Sequence, residues 1–199
     1  MQRYGQLVDV AAFAGEVLEV LPSEHAGYYA ICGAEADALM GLGASDRALA
    51  RYREATGIIE RLTRAEPDRA DFQRDLSVSY ERIGDLYQAL GQGDAAREMF
   101  QQALEIAERL ARAEPRRADF QFDLVASLQR MANFAADGGA DHLERALGIL
   151  HRLAAAGALY PGQRKWIAHF EERLRSGSRT PGLHSQARQW IARLGKQPR

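Results

Sequence analysis

Seventeen residues, Glu60 to Leu76 (ERLTRAEPDRADFQRDL), return 48 positions later as Glu108 to Leu124 (ERLARAEPRRADFQFDL), with fourteen identities. A match of that length marks duplication of a structural unit. The same offset carried backwards sets Leu90-Gly91-Gln92-Gly93-Asp94 against Leu42-Gly43-Ala44-Ser45-Asp46, so a third, more diverged copy precedes the other two. Any fold for this chain has to be one that repeats.

Within the middle copy, Leu76, Tyr80, Ile83, Tyr87 and Leu90 recur at spacings of three and four, which predicts one buried stripe on a helix. Gly91 and Gly93 are expected to end that helix, and Asp94, like Asp46 before it, to cap the next one through its side-chain oxygen. Phe100, Ala103, Leu104, Ala107 and Leu110 make the stripe of the second helix, and Pro115 prevents its continuation. Neither helix can bury its stripe alone. The hairpins are therefore expected to stack into a solenoid, for which three copies are about the minimum.

These residues resemble the tetratricopeptide repeats. The pattern is carried by Tyr80, Ile83-Gly84, Tyr87, Ala96, Phe100 and Ala103 in the middle copy, by Ala36, Leu39, Ala48, Tyr52 and Ala55 in the first, and by Met131, Ala132, Leu143 and Ala146 in the third. The resemblance implies an all-α fold: a right-handed superhelical solenoid of antiparallel helix hairpins, whose first helices line a concave groove. It spans roughly residues 24 to 156. The departure is length, since the usual repeat has about 34 residues and an offset of 48 implies longer helices. Similar long repeats occur in arrays attached to larger bacterial signalling proteins, so the resemblance also admits an accessory domain of such a protein.

The expected organisation is an N-terminal capping helix at 1–22; repeats at 23–67, 68–115 and 116–158; a C-terminal capping helix at 159–175, with Trp166, Ile167, Phe170 and Leu174 inward; a linker at 176–182; and a terminal helix with tail at 183–199. Ser-Gly-Ser-Arg-Thr-Pro-Gly in the linker holds turn formers and no core former.

Composition narrows the function. A formal net charge of -1 removes the overall attraction that nucleic-acid binders show. Cys32 is the one cysteine, which excludes an intramolecular disulfide and suits a reducing, cytoplasmic setting. No stretch approaches eighteen uninterrupted apolar residues, so no membrane span is expected. The five histidines give no pair three or four apart on one helix, and Gly91-Gln92-Gly93 lacks the Lys-Ser/Thr of a phosphate loop. No catalytic residue, metal site or cofactor is expected.

The strongest candidates form rows rather than motifs. If the resemblance holds, Asp37, Asp85 and Asn133 stack as one stripe of the groove; Ala34, Arg82 and Arg130 form a second; and Gly33, Glu81 and Gln129 a third, with Gln88 a turn further on. Arg82, Arg130 and Asn133 are loosely similar to the set with which family members hold a terminal carboxylate. Asp37 and Asp85 oppose that by competing for the arginines. The expectation is a scaffold or adaptor binding a protein or peptide in the groove. The alternative is self-association through the capping helices and Trp190, giving a homo-oligomer. Nucleic-acid recognition would need a basic inner face, which Asp37, Asp85 and Glu81 deny.

Overall fold

The computed structural model describes residues 25–135, 139–160 and 162–176. Among them every regular element is a helix: α1 His25–Gly41, α2 Ser45–Ala65, α3 Ala70–Ala89, α4 Gly93–Ala113, α5 Ala118–Ala132, α6 Ala140–Ala155 and α7 Lys165–Ser176. The chain is all-α, with the helical hairpins of a solenoid. It divides into two units, the first ending at Ser127 and the second beginning at Leu128, so the boundary falls inside α5. The expected helices at 1–22 and 183–199, and Trp190 with them, lie outside the described residues.

The duplication is visible in the backbone, bond for bond. Gly43 and Gly91, 48 apart, have φ of 75° and 73°. Behind each, an amide reaches back five residues, Ala44 N to Leu39 O and Gln92 N to Tyr87 O, both at 2.9 Å. This is the left-handed C-terminal turn that glycine adopts without steric cost, and it satisfies the last helical carbonyls. Two expectations are corrected here. Gly93 does not end α3 but starts α4, and Asp46 and Asp94 sit in the first turn of their helices, where no side-chain cap forms. The glycine turn brings the chain into the new helix one or two residues earlier, leaving the aspartates to act on the positive end of the helix dipole. Leu90, assigned to the buried stripe, is 41% exposed, because α3 has ended at Ala89 and position 90 has left the helical register.

The duplicated segment has its physical basis at the junction between hairpins. Arg69 sends Nε and Nη2 to the two oxygens of Asp71, at 2.8 and 2.6 Å, and its guanidinium lies 4.2 Å from the Phe72 ring centre. Arg117 repeats this with Asp119, at 3.2 and 2.6 Å, and with Phe120 at 3.7 Å. Glu66 and Glu114 approach the same guanidiniums from before the turn. Each arginine thus clasps the end of one helix to the start of the next, over an aromatic ring buried beneath it.

In the first unit, two apolar clusters fill the space between hairpins. One joins Cys32, Ile58, Ile59, Phe72, Leu76, Ile106, Leu110 and Phe120, and the other Ala36, Leu39, Ala48, Tyr52, Ile83 and Leu86. Polar bonds tie neighbouring copies, Arg74 Nε donating to Asp123 at 2.5 Å and Tyr29 OH to the Asp75 carbonyl at 3.2 Å, and within the first hairpin Arg51 Nε donates to buried Glu35 at 2.6 Å.

The third hairpin departs from the other two. Residue 148 is glycine where the first two copies have Tyr52 and Phe100, so the aromatic ring of those copies has no counterpart at this position. Gly139 packs on the end of α5: a Cβ there would stand 2.4 Å from the Cα of Ala132, the last residue of that helix. On α7, Trp166 and Phe170 are buried as expected. Leu174 is only half-buried, and the inward position belongs to Arg173, at 5% exposed. Positions 166, 170 and 173 lie near the centre of one helical face, whereas 174 is turned toward its edge.

Candidate functional site

The residues expected to line a groove come from the first helices of the hairpins. On α1 and α3, Arg82 Nη2 lies 3.6 Å from Asp37 Oδ2, with the two side chains 37% and 52% exposed. The pair bridges neighbouring copies at the surface. Asp37 is held from below, because Tyr52 OH, on α2, donates to Asp37 Oδ1 at 2.5 Å. Burial, and after it the Asp37 charge, pushes the Tyr52 phenol well above the ordinary tyrosine range, so this hydroxyl remains a donor at any physiological pH.

Arg82 reaches Asp37 by lying across Gly33. A Cβ at position 33 would be 2.7 Å from Arg82 Nη1. The matched positions carry Glu81 and Gln129, so only the first copy leaves this room. Glu81 accepts a hydrogen bond from Ser127 Oγ at 2.9 Å. Arg53 Nη2 donates to Tyr87 OH at 2.6 Å, extending the polar surface along α3. Asp85 and Gln88 are half-buried on the same helix.

The remaining candidates lie in the second unit. Gln129 and Arg130 are 7% and 8% exposed, and Asn133 sits in the turn after α5, its amide bonded to the Arg130 carbonyl at 3.1 Å. Of the two arginines, Arg82 is the one that offers its side chain to solvent.

Sequence reasoning missed Tyr52, taken only as the aromatic of the repeat. The signal was its hydroxyl, present where the middle copy has Phe100. Among the described residues, no group of three or more His, Cys, Asp or Glu is placed to hold a metal ion. No described helix is long and apolar enough to cross a membrane. Chemically, the surface offers the guanidiniums of Arg82 and Arg53 beside the carboxylates of Asp37, Glu81 and Asp85.

Comparison with known proteins places a family name on the middle copy: the profile of the tetratricopeptide repeat matches residues 78–109. That span covers most of α3 and α4, so the match falls on the second hairpin. Repeats of this kind serve generally as protein-interaction modules. Among curated proteins none matches the chain. Among solved structures, the crystal structure of BtubC (BKLC) from P. vanneervenii aligns over 98% of this chain and 95% of that one, at 15% identity and a TM-score of 0.44.

Proposed function

We propose that this protein is a scaffold or adaptor that binds a segment of a partner protein against the first helices of its hairpins, α1 and α3, around Asp37 and Arg82. The observation that carries this reading is the exposed Asp37–Arg82 pair, set on a tetratricopeptide repeat, with Tyr52 and Gly33 arranged to hold it. A surface ion pair adds about 1 kcal/mol at most to stability. Its supports are more than that return calls for, and they suit a pair whose charges are exchanged for those of a ligand. A partner carboxylate would take Arg82 from Asp37, or a partner cation would take Asp37 from Arg82. Asp85, Glu81 and Gln88 continue the same surface. The single cysteine, buried Cys32, suits a cytoplasmic protein.

The test is capture of proteins from a native cell extract by the wild-type chain and by Arg82→Glu, identified by mass spectrometry. The charge reversal is expected to leave helicity unchanged and to lose the specific partner. Equal capture by a folded Arg82→Glu chain would remove this surface from the site.

A further inference from the structure

We propose that α7 carries a carboxylate-binding site built on Arg173 with His169. Trp166, Phe170 and Arg173 follow one another on the packed face of the helix, at 8%, 0% and 5% exposed. A guanidinium therefore stands where an amphipathic helix places an apolar side chain. Arg173 Nε is closed off from solvent and has no acceptor among the described residues. The Nε2 of His169, one turn earlier on the same side, is in the same condition.

The carboxylates of α7 are engaged elsewhere. Glu171 stands 3.8 Å from His151 Nε2, and Glu172 pairs with Arg175. The stretch 177–199 contains no Asp or Glu, so it has no side-chain carboxylate to lend. The wall beside the site is aromatic: the rings of Trp166, His169 and Phe170 meet at centroid distances of 5.6 to 6.1 Å.

A cation withdrawn from water without a counter-ion is costly, and the cost is relieved by an anion. The Nε and Nη edge of a guanidinium presents two parallel N–H groups that match the two oxygens of a carboxylate. Beside it, burial lowers the proton affinity of His169, and the Arg173 charge lowers it further. One cation beside a neutral imidazole balances a single negative charge, which favours carboxylate over a phosphate dianion. Shielding from water strengthens the contact once it forms.

The test follows the Trp166 indole N–H resonance by NMR on the full chain, which wild type and variants share, together with the Arg173 Nε–H resonance in the wild type, titrated in one arm with succinate and in the other with an N-acetylated, C-amidated peptide rich in glutamate. A saturable shift in either arm is expected, with affinity falling about ten- to a hundredfold in Arg173→Met and less in Arg173→Lys. Saturation by succinate alone marks a small-molecule site, and saturation by the peptide marks a site for an acidic segment. In the free chain, Arg173→Met is expected to raise the melting temperature, since it replaces an uncompensated charge with an apolar side chain of similar length. No saturable shift in either arm, or affinity unchanged in a folded Arg173→Met chain, would overturn the proposal. So would a lower melting temperature for that variant.

Discussion

The Cδ1–Cε1 side of the Phe100 ring lies close against Gly84: a Cβ at residue 84 would stand 2.6 Å from Phe100 Cε1 and 2.8 Å from Cδ1. Phe100 is completely buried, so the ring has no room to retreat. The matched pairs are Ala36 with Tyr52 and Ala132 with Gly148, and the residue on the first helix is always small. Gly84→Ala gains about 1 kcal/mol of helix propensity but forces this contact apart, at a cost of about 1–3 kcal/mol or more. Net destabilisation is expected in urea unfolding. The loss should shrink when Phe100→Leu is added, because the two changes share one contact. A more stable Gly84→Ala chain would mean that the helices part easily.

Gly33 makes the opposite case. Its virtual Cβ meets only the far end of the Arg82 side chain, which can swing aside. Gly33→Ala is expected to be neutral or stabilising by up to about 1 kcal/mol. It also displaces Arg82 from Asp37, so capture of the proposed partner should change while thermal melting does not fall. Destabilisation as large as that of Gly84→Ala would show that position 33 is sterically closed.

The junction clasp predicts an acid sensitivity. Burial is the largest single influence on the Asp119 carboxyl and pushes it up, but the Arg117 hydrogen bonds and charge, with the Arg74 charge, together outweigh it and hold the carboxyl below the usual carboxylate range. A carboxyl with a lowered folded pKa gives stability that is present above its unfolded pKa and lost as pH falls through the folded one. Asp119→Asn is expected to cost about 0.5–1 kcal/mol at neutral pH, in keeping with a partly exposed pair, and to cost little near pH 2. Equal losses at both pH values would assign the effect to packing instead of charge.

Asp75 should behave in the reverse sense. Burial raises its pKa, outweighing the nearby Arg74 charge, so the folded chain holds that proton more tightly than the unfolded one. Ionised Asp75 therefore costs stability, and the cost appears as pH rises through the carboxylate range. Asp75→Asn is expected to raise the melting temperature at pH 7, with the gain vanishing at acid pH. A lower melting temperature at pH 7 would mean that the ionised carboxylate is held by favourable contacts.

Residue pattern alone was enough for the repeat, the helical class and most of the core. Spacing of three and four picks out a face that must be buried whatever lies opposite it, and Ala36, Ile83, Ala96, Phe100, Ala103 and Ala146 are all 4% exposed or less. Helix ends were read less well. Whether Asp94 caps depends on where the left-handed Gly91 releases the chain, a matter of backbone angles within one turn.

Charged positions were the least legible. Offsets placed Arg82 and Arg130 in one row, yet Arg82 reaches across Gly33 to Asp37 at the surface while Arg130 is buried. Likewise Arg173 reads as an ordinary surface residue at the end of an amphipathic helix, until its packed face is known.

Sequence by itself thus determined the period, the helices and the apolar faces, because hydrophobic burial depends on composition along one element and is indifferent to the partner's identity. Which charges meet, which are shielded and which stay open was decided only by the tertiary structure. Electrostatic contacts form at distances of about 3–4 Å and weaken with exposure to water, and both quantities exist only once the helices are packed.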